Sequence, residues 1–151
     1  MAREFGGVEH RIELVRDVNG VKYYNDSIAS SPTRTIACLK AFDKKIHLIA
    51  GGYDKHIPFE PLAPFVIEKV EKIYLCGATA EKIETAIIND ENYKGNPEIV
   101  RVKDIAEALQ KIQENVKEGD IVALSHACAS FDSFPNFAAR GNYFKELVNK
   151  L

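Results

Sequence analysis

The sequence predicts an α/β fold: a Rossmann-like, mostly parallel sheet flanked by helices, with an antiparallel hairpin at its N-terminal end. Three observations carry this prediction. Short, continuously apolar runs recur along the chain, as in strands that are buried on both faces. Segments with helical spacing of apolar residues lie between those runs. Near the start, Asn19-Gly20 separates two strand-like runs, and this dipeptide is the strongest short hairpin signal.

The predicted strands follow in order from these runs. Residues 12–18 and 21–24 form the two arms of the hairpin around Asn19-Gly20. The strands then alternate with helices, which indicates a parallel sheet because parallel neighbours need a long crossover connection. The remaining strands are predicted at residues 46–50, 73–76, 99–102 and 121–124.

Five helices are predicted, over residues 33–42, 61–70, 79–88, 104–116 and 136–149. Pro32 suits the first turn of the first helix, and Thr79 is placed as the N-cap of the third. In the fourth helix, Asp104 and Glu107 have the spacing of an N-cap and its carboxylate partner. The last helix carries four apolar residues on one side, Phe137, Phe144, Leu147 and Val148.

The composition is that of one globular domain, and it excludes several classes of protein. Of 151 residues, 46% are hydrophobic and 28% are charged, which is too apolar for a disordered chain. The net charge of −2 argues against nucleic-acid binding through a basic face. The sequence contains neither an apolar run of ~18 residues, as a membrane span requires, nor the apolar core of a secretion signal. Cys38, Cys76 and Cys128 fit no disulfide framework, so we expect a reducing, cytoplasmic location.

Three polar segments directly follow predicted strands. In open α/β sheets, ligands bind outside the carboxyl ends of the strands, so these segments are predicted to share one edge and form the site. They are Asn25-Asp26-Ser27, Gly51-Gly52-Tyr53-Asp54-Lys55 and Ser125-His126-Ala127-Cys128-Ala129-Ser130.

Each segment taken alone also has an ordinary structural interpretation. Gly51-Gly52 before Lys55 suits the approach of backbone to an anionic ligand, but it also suits a flexible turn with a solvated lysine. Residues 25–27 have the residue types of a turn as well as those of a ribose or amine contact. Cys128 with His126 suggests a nucleophile, but a structural cysteine is favoured because Cys is among the most buried residue types.

The other candidate residues are interpreted in the same way. The four histidines lack a metal-ligand spacing, so no metal site is predicted, and His47 within an apolar run is predicted to be a core or sheet histidine. Arg11, taken alone, is a surface charge. The aromatic set of Phe131, Phe134 and Phe137 is favoured as core over a ligand platform.

Taken together, five motifs in order resemble the C-terminal domain of the Mur ligase family. They are residues 5–13 (FGGVEHRIE), 25–30 (NDSIAS), 51–55 (GGYDK), 125–134 (SHACASFDSF) and 136–141 (NFAARG). Each motif is weak alone, but the five in sequence cover essentially the whole chain and are specific. The last three narrow the resemblance to the members that add D-glutamate.

The resemblance implies one domain over residues 1–151, the third of three, with the N-terminal and central ATPase domains absent from this chain. The first motif starts five residues in, as it would in an excised domain. Resemblance to the D-glutamate-adding members implies their reaction in peptidoglycan synthesis. ATP with Mg²⁺ is expected to activate the carboxylate of UDP-N-acetylmuramoyl-L-alanine as an acyl phosphate, which the amine of D-glutamate then attacks. Because Mg²⁺ and ATP are held mainly by the central domain, the isolated chain is expected to be inactive.

The same resemblance assigns roles to individual residues. Lys55 pairs with a carboxylate of D-glutamate and is the catalytic assignment. Arg11 reaches the ATP phosphates, and Asp26 reaches the ribose. The amino-acid pocket is lined by Lys55 together with Ser30, Ser130, Phe131 and Phe137.

The chain departs from the family pattern at four places. Ile28 stands where Lys is usual, Ser30 where Thr is common, Tyr53-Asp54 where Asp-Gly is usual, and His126 where Pro is common. Two alternatives stay open. One is another Mur-type ligase, such as a folylpolyglutamate synthase-like protein, and the other is a stand-alone α/β binding or regulatory domain.

Overall fold

Six strands and five helices alternate along residues 8–130 and 134–151, which are the residues that the computed structural model describes. The strands are β1 (Glu13–Val18), β2 (Val21–Asn25), β3 (Ile46–Ala50), β4 (Val70–Leu75), β5 (Glu98–Arg101) and β6 (Ile121–Leu124). The helices are α1 (Pro32–Lys40), α2 (Ala63–Lys69), α3 (Ala80–Ile88), α4 (Ile105–Gln113) and α5 (Phe137–Asn149).

The strands form one sheet in the order β1-β2-β6-β3-β4-β5. The β1–β2 pair is antiparallel, and the other neighbouring pairs are parallel. In the hairpin turn, Asn19 and Gly20 have φ angles of 55° and 86°, the positive values that a type I′ turn requires. The predicted fold class, a mostly parallel sheet with an N-terminal hairpin, is confirmed.

The predicted elements are present, with ends that differ by at most three residues. The largest difference among the helices is in α4, which ends at Gln113 and gives way to a turn in which the Asn115 amide donates to the Ile112 carbonyl. The prediction that every apolar run is buried on both faces is wrong for β5. Its Ile99 and Val100 are half-buried because β5 is the edge strand and has one neighbour only.

Two apolar cores lie on the two faces of the sheet, since successive residues of a strand point to opposite faces. In β3, Leu48 packs in the core covered by α1, α2 and α3, whereas Ile49 packs in the core covered by α4 and α5. His47 of the same strand is also buried, with Nε2 3.4 Å from Asp120 Oδ2, which confirms it as a sheet histidine. None of the described helices is both long and apolar enough to cross a lipid bilayer.

The order of the strands brings the functional segments together. The carboxyl ends of β2, β6 and β3 lie side by side at one edge of the sheet. After β3 the chain continues into α2 on one face, and after β6 it continues into α5 on the other face. A crevice forms where neighbouring strands diverge in this way, and it is the usual ligand position in open α/β sheets.

Candidate functional site

Direct hydrogen bonds join the three polar segments at this edge, as predicted from their positions after strands. The Asp26 amide donates to the Leu124 carbonyl (2.8 Å), and the Gly51 amide donates to the His126 carbonyl (2.9 Å). Further along, the Tyr53 amide donates to the Ala129 carbonyl (2.9 Å). The segments that follow β2, β3 and β6 are therefore hydrogen-bonded into one layer, most of which is buried, whereas Tyr53 and Lys55 are exposed.

The Asp26 carboxylate is buried, with 3% of the residue exposed, and it faces inward. Its Oδ1 accepts from the Ile12 amide at 3.0 Å, and its Oδ2 accepts from the Ser125 hydroxyl at 2.8 Å. Burial raises the pKa of this carboxyl from 3.8 to about 6, although the bonds from Ser125 and Ile12 oppose that rise. In this conformation each oxygen accepts one bond from the protein, and the carboxylate is buried away from solvent.

Arg11 lies on the surface beside Asp26, within a short turn of unusual backbone geometry. The residues on either side, His10 and Ile12, have φ angles of 66° and 47°, in the left-handed region that side chains disfavour. His10 is buried while Arg11 is exposed. The turn therefore presents one arginine from an otherwise fixed backbone.

The loop after β3 carries Lys55 out to solvent. Its neighbour Asp54 is already paired: Oδ1 accepts from the His56 amide (2.7 Å), and Oδ2 lies 2.6 Å from Lys82 Nζ on α3. Lys82 holds the pKa of Asp54 below its usual value. Lys55 itself is exposed, and the described part of the chain offers its ammonium no hydrogen bond or ion pair. Asp54, a departure from the family pattern, therefore does not neutralise Lys55.

The loop after β6 does not continue the strand. β6 ends at Leu124, and Ala127 has a φ of 63°, so His126 and Cys128 lie in the loop and not on one face of a strand. His126 is buried, and its Nδ1–H donates to the Gly51 carbonyl, which leaves Nε2 without a partner among the described residues. Burial holds the pKa of His126 well below its usual value, and nearby Arg140 lowers it further. The imidazole is thus neutral.

Cys128 is buried, as expected for a structural cysteine, and its Sγ lies 3.2 Å from Thr79 Oγ1. Thr79 is the N-cap residue of α3, as predicted, although its side chain makes no capping bond to the helix. Its hydroxyl instead accepts from the Gly52 amide at 2.9 Å. The residue therefore supports the lysine-bearing loop rather than the helix.

Arg140 of α5 is a residue of this edge to which the sequence interpretation gave no role. It is 1% exposed, and its guanidinium donates to both the carbonyl (2.7 Å) and the hydroxyl (3.0 Å) of Ser27 and to the Cys128 carbonyl (2.9 Å). It thereby ties the loops after β2 and β6 to α5. The available signal was its spacing: Arg140 lies four and eight residues before the buried Phe144 and Val148, on the same helical face.

The start of α5 completes the site. Asn136 caps the helix by accepting from the Ala139 amide (2.8 Å), and the Ser27 hydroxyl donates to the Phe137 carbonyl (2.7 Å). The Phe137 ring is 37% exposed, with its centroid 5.9 Å from that of His10, so its prediction as a core residue is wrong. Because Phe137 is the first residue of α5, its ring lies beside the loops at the sheet edge and not between the helix and the sheet.

The remaining pocket residues predicted from the resemblance have different surroundings. Ser30 is half-buried before α1, and its hydroxyl donates to the Ile28 carbonyl (3.3 Å). Ser130 is buried at the end of the loop after β6, next to the Tyr53–Ala129 bridge. Phe131 lies outside the described residues. Within residues 8–130 and 134–151, no group of His, Cys, Asp and Glu side chains gathers that could hold a metal ion.

Comparison with known sequences matches this chain to one family. The profile described as "Mur ligase, glutamate ligase domain" matches residues 10–128. Two UDP-N-acetylmuramoylalanine–D-glutamate ligases align with the whole chain: the protein of a type E strain of Clostridium botulinum is 59% identical, and that of Clostridium novyi is 56% identical. The chain spans 33% of the length of each.

Solved structures share the fold at low sequence identity. A murein peptide ligase of Psychrobacter arcticus superposes with a TM-score of 0.65 and 16% identity, over 96% of this chain and 31% of that one. A bifunctional folylpolyglutamate synthase/dihydrofolate synthase of Yersinia pestis gives a TM-score of 0.65 with 12% identity, over 94% and 32%. At these identities the likeness concerns the fold alone.

Proposed function

The chain belongs to the Mur ligase family, and from that premise we propose that it is the C-terminal, amino-acid-binding domain of a cytoplasmic ATP-dependent ligase that adds D-glutamate to UDP-N-acetylmuramoyl-L-alanine in peptidoglycan synthesis. Relatives that are 56–59% identical over the whole chain are named for D-glutamate ligation. The folylpolyglutamate synthase-like alternative is supported only by a similar fold at 12% sequence identity. Because the chain spans a third of these relatives, the complete activity is proposed for a longer protein.

One observation carries the assignment of the amino-acid site: Lys55 is an exposed cation that the described residues leave unpaired. D-glutamate brings two carboxylates, and at least one needs a cation when the site closes and water leaves. Asp54 would be the natural competitor for Lys55, but Lys82 already pairs with it at 2.6 Å. The loop therefore offers the Lys55 ammonium to a ligand carboxylate.

The proposed reaction joins the amine of D-glutamate to the activated carboxyl carbon. The C–N bond forms as the C–O bond to phosphate breaks, the amine loses a proton, and inorganic phosphate leaves. This chain's contribution is to hold the amino acid, and positioning of that kind can lower a barrier by ~7–11 kcal/mol. We assign this holding to Lys55, with Ser30, Ser130, Phe131 and Phe137 around the amino acid.

Arg11 and Asp26 are proposed to serve the nucleotide end of the site. Arg11 is exposed beside the buried Asp26, at the same sheet edge as the other segments. Mg²⁺, when bound, would neutralise part of the charge on the ATP phosphates. By the family resemblance, we place that ion mainly on the central ATPase domain, and the described residues of this chain gather no metal-ligand group.

The Lys55 assignment is tested in a full-length ligase that carries this domain. Lys55→Ala is expected to lower kcat/KM for D-glutamate, because a substrate carboxylate is left unpaired in a closed site. The expected loss corresponds to about 2–5 kcal/mol of transition-state binding. Lys55→Arg is expected to recover only part of this loss, since a planar fork does not replace a compact ammonium. Steady-state kinetics with D-glutamate varied measure both variants.

Lys22→Ala is the matched control, because Lys22 is also an exposed lysine but lies at the start of β2, away from the site. It is expected to leave kcat/KM unchanged. A loss of less than threefold in Lys55→Ala would contradict the proposed role. Thermal unfolding of each variant separates a lost contact from a lost fold.

A further inference from the structure

The segment that carries Arg11 is held in a backbone conformation that its sequence disfavours. His10 and Ile12 have φ angles of 66° and 47°. A positive φ is rare for any residue with a side chain, and for a β-branched residue such as isoleucine it is an outlier. Residues in such regions persist only where surrounding groups hold them, and they cluster at functional sites.

The groups that hold this turn come from β2 and the residues just after it. The Ile12 amide donates to Asp26 Oδ1 (3.0 Å), and the Ile28 amide donates to the His10 carbonyl (3.0 Å). The Asn25 side-chain amide donates to His10 Nδ1 at 2.9 Å. The turn is therefore fixed on both sides of Arg11 by bonds that do not involve the Arg11 side chain.

Helix α5 closes the turn from the other side. A Cβ atom added to Gly141 would lie 2.2 Å from His10 Nδ1, so the helix backbone packs directly against the His10 ring. His10, Asn25 and Asp26 are all buried, whereas the Arg11 side chain is exposed. The arrangement is a buried support with one exposed cation at its centre.

We propose that Asp26 is a positioning residue that acts through Arg11: its carboxylate holds the Ile12 amide and so maintains the left-handed turn that presents the Arg11 guanidinium to an anionic ligand. This inference rests on the proposed function for the identity of that anion, the phosphates of ATP. It gives Asp26 a task in addition to the ribose contact that the resemblance implies, because Oδ1 already accepts from the Ile12 amide and Oδ2 from the Ser125 hydroxyl.

The backbone part of the inference is tested on the chain itself by NMR. A positive φ gives a strong NOE between the amide proton and the Hα proton of the same residue. This NOE is expected for Ile12 in the unmodified chain and in Asp26→Asn, whose amide oxygen still accepts, and it is expected to weaken in Asp26→Ala. Asp17→Ala is the matched control, because Asp17 Oδ1 also accepts a backbone amide, that of Gly20, but in the distant hairpin.

The functional part is tested by a double-mutant cycle in a full-length ligase that carries this domain. Asp26→Ala is expected to lower kcat/KM for ATP at least tenfold, but less than threefold when Arg11→Ala is already present. A second cycle adds Ile12→Gly, because glycine adopts a positive φ without help. When Ile12→Gly is added to Asp26→Ala, kcat/KM for ATP is expected to rise at least threefold above that of Asp26→Ala, while the melting temperature falls. A purely structural role of Asp26 does not predict this combination.

Opposite outcomes overturn the inference. If Asp26 acts only by contacting the ribose, the loss of activity in Asp26→Ala is the same with or without Arg11. That loss then disappears when 2′-deoxy-ATP or 3′-deoxy-ATP replaces ATP. An Ile12 NOE that is unchanged in Asp26→Ala also overturns it. If Arg11→Ala leaves ATP use unchanged, the nucleotide role under the proposed function fails and the proposal falls with it, while the NOE still shows whether Asp26 holds the turn.

Discussion

At the scale of single residues, backbone strain is concentrated around the candidate site. The described residues include five non-glycine residues with positive φ, and four of them are next to Arg11, next to Lys55 or within the loop after β6. These four are His10, Ile12, His56 and Ala127. Each such conformation costs about 1–3 kcal/mol and is retained where surrounding contacts enforce it. These strained conformations lower the stability of the fold, and burial in the two apolar cores offsets this cost.

The Asp26 carboxylate is a second cost at this scale, and it makes stability depend on pH. Its pKa is raised from 3.8 to about 6, so the folded chain binds this proton more tightly than the unfolded chain does. The protonated Asp26 carboxyl therefore adds to the free energy of unfolding. This stabilisation is fully present below about pH 4 and is lost as the pH rises through 6. Above pH 6 the ionised carboxylate destabilises the fold by up to about 3 kcal/mol.

Asp26→Asn is therefore expected to stabilise the chain at pH 8, because an amide of the same shape has no charge to desolvate. Urea unfolding of the two proteins at pH 8 and pH 5 measures the difference, which is expected to narrow at pH 5. Asp43→Asn serves as control, since Asp43 is an exposed carboxylate. A variant that is less stable than the parent at pH 8 would show that the bonds from Ile12 and Ser125 need the charged acceptor.

At the scale of elements, the sheet edge is built from backbone segments that approach too closely for side chains. Gly51, directly after β3, has a φ of 109°, and a Cβ atom there would lie 2.0 Å from the carbonyl oxygen of Cys76 after β4. The contact is with backbone, which cannot rotate away as a side chain does. The path of the lysine-bearing loop is thus set by how closely β3 and β4 run.

Gly51→Ala is expected to destabilise the chain by roughly 3 kcal/mol or more, because it adds a steric clash to an unfavourable φ. Gly95→Ala separates the two effects, since Gly95 has a similar φ of 96° but open space around its Cβ position. That control is expected to cost only about 1 kcal/mol. If urea unfolding shows equal losses of stability in Gly51→Ala and Gly95→Ala, the loop after β3 moves aside and the close approach does not fix its path.

At the scale of the whole molecule, neither a P-loop sequence nor, among the described residues, a metal site is present for phosphoryl transfer. The sequence has no phosphate-binding loop of the G-x-x-x-x-G-K-[ST] type, and the described residues form no metal site. In ATPases of the P-loop type, that loop and a bound Mg²⁺ orient the transferred phosphoryl group and neutralise its charge. We therefore expect the chain to fold alone and to be catalytically inert.

Incubating the purified chain with ATP, UDP-N-acetylmuramoyl-L-alanine and D-glutamate is expected to release no ADP above a control without protein. A full-length ligase carrying the domain, at the same concentration, is the positive control. Cooperative thermal unfolding followed by circular dichroism shows whether the inert chain is folded. Release of ADP by the chain alone would place phosphate-binding residues within these 151 residues.

Local and periodic features of this protein were predictable from its sequence. Apolar runs and helical spacing gave every strand and helix, because each depends on which faces of a short segment are buried. The Asp104 cap of α4 was predicted from a three-residue spacing, and the Asp104 side chain does accept from the Glu107 amide. The sharing of one edge by three loops followed from the rule that parallel strands present their carboxyl ends together.

What each side chain does at that edge was decided by tertiary structure alone. Asp26 holds the Ile12 amide, Thr79 supports the Gly52 amide, and Arg140 joins two loops that lie far apart in sequence. Each of these bonds joins a side chain to a backbone amide or carbonyl at least 12 residues away, a group that every sequence contains. A residue pattern reports which faces are buried, but the pairing of a buried polar group is settled only when the strands have been placed side by side, because burial is what makes each unpaired donor or acceptor costly.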